Sequence, residues 1–155
     1  DQSQPWDKVY QGTERFRPLS KFNFEAVFDK EIGVVWEISP SGEEMDWYDA
    51  KDHCRNHTVN GIWGWRLPTG EEFATLLDRS NDPAIVSGHP FNLQRDDYWT
   101  DTTYHRASQD GENDRAVDII FELGEEGLGN ESKWFGHGVW CVRGGSSYDG
   151  QYAPF

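Results

Sequence analysis

The feature that most limits how this chain can fold is a change of hydrophobic period. Val34-Val35-Trp36-Glu37-Ile38 is a short run of β-branched and aromatic residues stopped by Ser39-Pro40-Ser41-Gly42, which predicts a strand and its turn. A few residues on, the period lengthens. Asp46 can act as an N-cap, Asp49 follows three residues later, and Trp47, Ala50 and Cys54 recur at helical spacing. Thr69 and Glu72 then form a capping box ahead of Phe73, Leu76 and Leu77, which predicts a second helix. Past a turn-rich stretch the chain returns to strand-like segments at Tyr98-Trp99-Thr100, Ala116 to Phe121 and Val139 to Arg143. Phe22 to Phe28, with aromatics at alternate positions 22 and 24, predicts a further strand near the start. Two early helices followed by several short strands define an α+β domain.

The first residues show no sustained period, so 1–21 reads as an extended lead-in, 22–145 as the domain and 146–155 as a tail. One domain of this length can bury its own core. Only 35% of the 155 residues are apolar, yet 15% are aromatic, including eight Trp, and that density of rings separates the chain from disordered acidic sequences. Acidic residues outnumber basic ones 28 to 14, and the formal charge of −14 repels phosphate backbones, sulfated polysaccharides and anionic lipid. Nucleic acid is thereby excluded as a partner. No apolar run approaches the roughly 18 residues a membrane span needs, so direct membrane insertion is not expected. The chain opens at Asp1 without a Met or a visible signal peptide, which reads as a trimmed mature chain. Cys54 and Cys141 lie too far apart for a zinc ribbon or a thioredoxin-type motif. They are either one long-range disulfide or two buried thiols.

Four segments recur in an order that is familiar. Trp47-x-x-Ala50-x-x-x-Cys54 comes first, then Trp65-Arg66-Leu67-Pro68-Thr69 with Glu72, then Tyr98-Trp99-Thr100-x-Thr102-Thr103. Val142-Arg143-Gly144-Gly145, directly after Cys141, closes the series. Together they resemble the Lcl-type C-terminal domain family, a group of bacterial exported domains, over about Phe22 to Gly145. The resemblance implies a C-type-lectin-like fold, two helices packed on short, mostly antiparallel strands, related in architecture to the formylglycine-generating enzymes. It also implies a secreted, periplasmic or cell-surface location and a disulfide between Cys54 and Cys141. A bond of that kind requires an oxidising compartment.

The chemical candidates are few. The E-P-N, Q-P-D and W-N-D triplets of calcium-dependent sugar binding are missing, and Asn81-Asp82-Pro83 falls too early in the chain to replace them. Asp110, Glu112 and Asp114 alternate in one loop and could supply oxygen ligands to calcium, although a solvated acidic loop accounts for them as well. His53 and His57 stand four apart, a spacing that can grip zinc, but no H-E-x-x-H accompanies them. No nucleophile motif is present, the two cysteines are committed by the resemblance, and no cofactor or catalytic activity is expected.

Recognition through aromatics is left. Trp47, Trp65, Trp99 and Trp140 sit within the shared motifs and read as core, whereas Trp63 and Trp134 lie in loops outside them. Loop aromatics stack on sugars or anchor protein interfaces, though each could equally fold back on its own domain. The ends carry further anchors: Trp6, Tyr10 and Phe16 ahead of the domain, Tyr148, Tyr152 and Phe155 behind it. The expectation is a non-catalytic exported binding domain. It would act through protein–protein contacts as an accessory or structural subunit of a larger extracellular or periplasmic assembly. The alternative is a free-standing adhesion or glycan-binding module.

Overall fold

Phe16–Pro18 forms β1, which pairs antiparallel with β2 (Ala26–Asp29). The computed structural model describes residues 14–104 and 114–145. β2 turns into β3 (Val34–Glu37) through Gly33, whose φ of 76° is free of strain only for glycine. α1 (Trp47–Arg55) follows. The Asp46 side chain accepts the amide hydrogen of Asp49 at 2.9 Å, and Trp47, Ala50 and Cys54 are its buried stripe. β4 (Trp65–Arg66) leads into α2 (Gly70–Ala74), then β5 (Asp97–Tyr104), β6 (Arg115–Ile120), β7 (Gly127–Ser132) and β8 (Val142–Gly144). The strands make two antiparallel sheets, one ordered β1-β2-β3-β8-β4 and the other β5-β6-β7. α1 packs against β4 and β5, and α2 against β5, β6 and β7. The chain is therefore α+β, two helices on antiparallel sheets.

Two apolar clusters fill the interior. One gathers Trp36, Phe73, Phe91, Tyr98, Phe121 and Trp140, with Trp36 and Trp140 ring centroids 5.0 Å apart. The other surrounds Trp47, Trp65, Trp99 and the disulfide between Cys54 and Cys141, whose Cα atoms are 5.6 Å apart. Trp47, Trp65, Trp99 and Trp140 are all buried, as their place in the motifs suggested.

The W-R-L-P-T motif is a structural clamp. Glu72 accepts the amide hydrogen of Thr69 while Thr69 accepts that of Glu72, completing the capping box. Glu72 also receives a two-pronged bond from Arg66, both contacts at 2.8 Å, and Arg66 reaches on to the Gly144 carbonyl at 2.7 Å. One side chain thus ties β4, α2 and β8 together.

Two sequence expectations change, and one strand is added that the sequence pattern did not announce. Phe22 to Phe24 is not strand: Ser20–Phe22 is a 3₁₀ turn, and Asn23 and Phe24 take φ of 56° and 60°. The two rings consequently part, Phe22 fully buried and Phe24 61% exposed. Gly127–Ser132 (Gly-Leu-Gly-Asn-Glu-Ser) has no strand pattern of its own and is strand only because all of it pairs with β6. The described part of the lead-in is built into the sheet. Phe16 packs edge-on against Phe91 at 5.1 Å, and the buried Arg15 guanidinium binds the buried Asp29 carboxylate through two nitrogens, at 2.9 and 2.8 Å. Phe16 is core, not a free anchor.

Candidate functional site

α1 carries a differently built surface at each of its ends. At the N-terminal end the buried Trp47 is fixed by its indole N–H, which donates to the Thr100 carbonyl at 2.9 Å. Lys51 and Lys133 bring their ammonium groups to 4.5 and 4.4 Å from its ring centroid. Tyr48, one position off the buried stripe, faces outward and stacks obliquely on Trp134 at 4.8 Å. Its hydroxyl donates to Asp114, which also pairs with Lys133 at 3.1 Å. That hydrogen bond to Asp114 pushes the Tyr48 phenol up, and the same bond holds Asp114 below the usual carboxylate range. Trp134 and its neighbour Phe135 are 68% and 58% exposed. Tyr48 and Trp134 are thus a stacked pair of large rings presented to solvent on a fixed base, with the exposed Phe135 next to Trp134 in the chain.

At the C-terminal end a cleft of about 390 Å³ opens between Phe24, Glu37, His57, Asn60 and Asn92. The Glu37 carboxylate is buried. One oxygen accepts the amide hydrogen of Cys141 at 2.6 Å and the other lies 3.4 Å from His57 Nε2. His53 stacks on His57 at 5.3 Å, and burial followed by the neighbouring His57 lowers its pKa.

A third cluster is internal. His137 sits between Asp97, 2.6 Å from Nδ1, and Asp118, 3.1 Å from Nε2. Burial by itself would lower the imidazole pKa, but the two carboxylates outweigh it and push His137 up to about 9. The cluster joins β5, β6 and the approach to β8, a cross-brace between elements.

The sequence candidates separate in space. Trp134 stands at the centre of the exposed patch. Trp63 is 60% exposed on the loop before β4, its carbonyl accepting from Arg143 at 2.8 Å, and makes no ring contact with Trp134. Asp110 and Glu112 lie outside the described residues, as do Trp6, Tyr10, Tyr148, Tyr152 and Phe155. Asp114 is engaged by Tyr48 and Lys133, and among the described residues no group of three His, Cys, Asp or Glu side chains is placed to hold a metal ion. Sequence reasoning missed Tyr48, Phe135 and the Glu37–His57 pair. Tyr48 was findable, since a helical wheel puts it outside the Trp47–Ala50–Cys54 stripe. Glu37 was not, because its partners come from residues 57 and 141.

The chain is thus a small disulfide-braced α+β domain, its α1 bonded to the segment before its last strand and aromatic rings displayed at a helix end. Residues 25–143 match the family model of the Lcl C-terminal domain, and the chain belongs to that family. No curated protein matches it.

Proposed function

We propose that this chain is a non-catalytic exported binding domain, an accessory or structural subunit of a larger extracellular or periplasmic assembly, and that its Tyr48–Trp134–Phe135 patch contacts another protein. The observation that carries this reading is the patch itself. Large aromatics rimmed by charged groups, here Lys51, Lys133 and Asp114, have the anatomy of an interface hot spot. Tyr48 is held by Asp114 and Trp134 rests on it, so little ordering entropy is lost on binding. The Cys54–Cys141 bond supports an oxidising compartment. A disulfide from α1 to the segment preceding β8 also supports a C-type-lectin-like arrangement of the elements. The same rings favour a second reading, stacking on an uncharged glycan, because ring faces suit sugars as well as side chains.

The test is the native mass of the protein gently extracted from its own cells, compared with a Trp134→Ala variant. Migration in a larger complex that Trp134→Ala releases, with unchanged melting temperature, supports the subunit reading. A lone monomer whose binding to neutral glycans depends on Trp134 would replace it with the adhesion reading. Association insensitive to Trp134→Ala and Tyr48→Ser would remove the patch from both.

A further inference from the structure

The cleft at the C-terminal end of α1 is independent of the aromatic patch and has its own chemistry. Phe24 holds φ at 60°, the left-handed region that bulky residues rarely enter, and directly follows Asn23 at 56°. Glycine would fit there without strain. The ring gains little from the fold in return, since it is 61% exposed. A strained, exposed aromatic points to a role outside folding, and this one stands on the wall of a cleft.

The cleft is rich in acceptor oxygens. Asn60 donates one amide hydrogen to the Lys21 carbonyl and Asn92 donates one to the Ser39 hydroxyl, which holds both side chains in place while each keeps its side-chain carbonyl oxygen as an acceptor. Glu25 adds an exposed carboxylate at the rim, and the buried Glu37 carboxylate forms part of the wall. No Lys or Arg is among the lining residues. A buried carboxylate demands a compensating cation, and within the cleft only His57 stands near it, at 3.4 Å. An aromatic face, two carboxylates and surplus carbonyl oxygens are what an organic cation requires.

We propose that this cleft binds an alkylammonium or guanidinium group, with Glu37 as the ionic anchor and the Phe24 ring as a wall against which the cation lies. The cation can be a free amine or the Lys or Arg side chain of a partner protein. A volume of about 390 Å³ takes one such side chain or a small diamine.

The experiment is titration calorimetry on the full chain at low salt with cadaverine, with agmatine, with an end-blocked lysine tripeptide and with its acetyl-lysine counterpart. The amines should bind and the neutral acetyl-lysine peptide should not. Tighter binding of the lysine peptide than of the free amines assigns the site to a partner's side chain, and the reverse order assigns it to small cations. Phe24→Gly is the decisive variant, because it should raise the melting temperature by relieving the backbone while weakening amine binding about tenfold, or about 1.4 kcal/mol. Glu37→Gln should abolish binding, and Trp134→Ala should leave it unchanged, which separates failure of this site from failure of the patch. Equal binding of acetylated and free lysine, no binding of any amine, or full affinity in Phe24→Gly would overturn the proposal.

Discussion

His137 places Nδ1 2.6 Å from Asp97 Oδ2, joining the approach to β8 to the first residue of β5. Asp118 closes on the other ring nitrogen, and Arg95 pairs with Asp97 Oδ1 at 3.1 Å, so the imidazole bridges two carboxylates inside the fold. Trp99 lies edge-on to the same ring at 4.6 Å.

This pairing makes stability depend on pH in a defined sense. The folded pKa of about 9 exceeds the unfolded value near 6.5, so the contribution is complete below about pH 6.5 and is lost as pH rises through about 9. The loss should reach at most about 3 kcal/mol, the free-energy equivalent of that displacement. Urea denaturation between about pH 6 and about pH 9.5 checks it, and a His137→Gln variant should be less stable at neutral pH and show a flatter profile. A wild-type stability that holds level across this range would contradict the assignment.

Removing the disulfide should cost several kilocalories. Its sequence separation is 87, and closing a loop of that size stabilises by roughly 4.6 kcal/mol on the chain-entropy model. A Cys54→Ala/Cys141→Ala double variant should therefore melt about 10 °C or more below the parent. Mass measurement of the non-reduced chain should read two hydrogens lighter than the reduced one.

Arg15 and Asp29 should behave as one unit. Asp29 accepts from Arg15, from the Trp36 indole N–H at 2.9 Å and from the Glu31 amide at 3.0 Å, so Asp29→Ala leaves the Trp36 indole without its acceptor and Arg15 with Glu31, at 2.8 Å, as its remaining carboxylate. The expected loss is about 1–3 kcal/mol by urea titration, the cost of leaving buried donors without their acceptor. Trimming the chain up to Glu14 retains Arg15, whereas trimming through Arg15 should lower the melting temperature sharply. Equal stability of the two truncations would show that this pair contributes nothing.

Gly138 should tolerate no side chain. A Cβ there would lie 2.7 Å from the Asp97 carbonyl oxygen and 3.0 Å from the Tyr98 ring, where backbone leaves no room to yield. Gly138→Ala should destabilise by about 1–3 kcal/mol. The chain is already bonded at this point, the Trp99 amide donating to the Gly138 carbonyl at 3.0 Å and the Gly138 amide to Asp97 at 3.1 Å.

What the sequence determined by itself was local. The Thr69–Glu72 capping box, the Asp46 N-cap and the Trp47–Ala50–Cys54 stripe act over one or two helical turns, and each is present as expected. The ordered motifs also determined the family and, through it, the Cys54–Cys141 pairing. Tertiary structure decided everything whose partner is distant. β7 is strand because β6 supplies its hydrogen bonds, not because Gly-Leu-Gly-Asn-Glu-Ser favours extension. Arg15 left the lead-in for the core because Asp29 and the Thr75 carbonyl wait there. The Tyr48–Trp134 platform and the Glu37 cleft join residues from far-separated segments, and no period or spacing encodes such a meeting. Helix caps are contacts within one short segment and can be read along the chain. Surface platforms and clefts are contacts between segments, and they exist only once the sheets have brought those segments together.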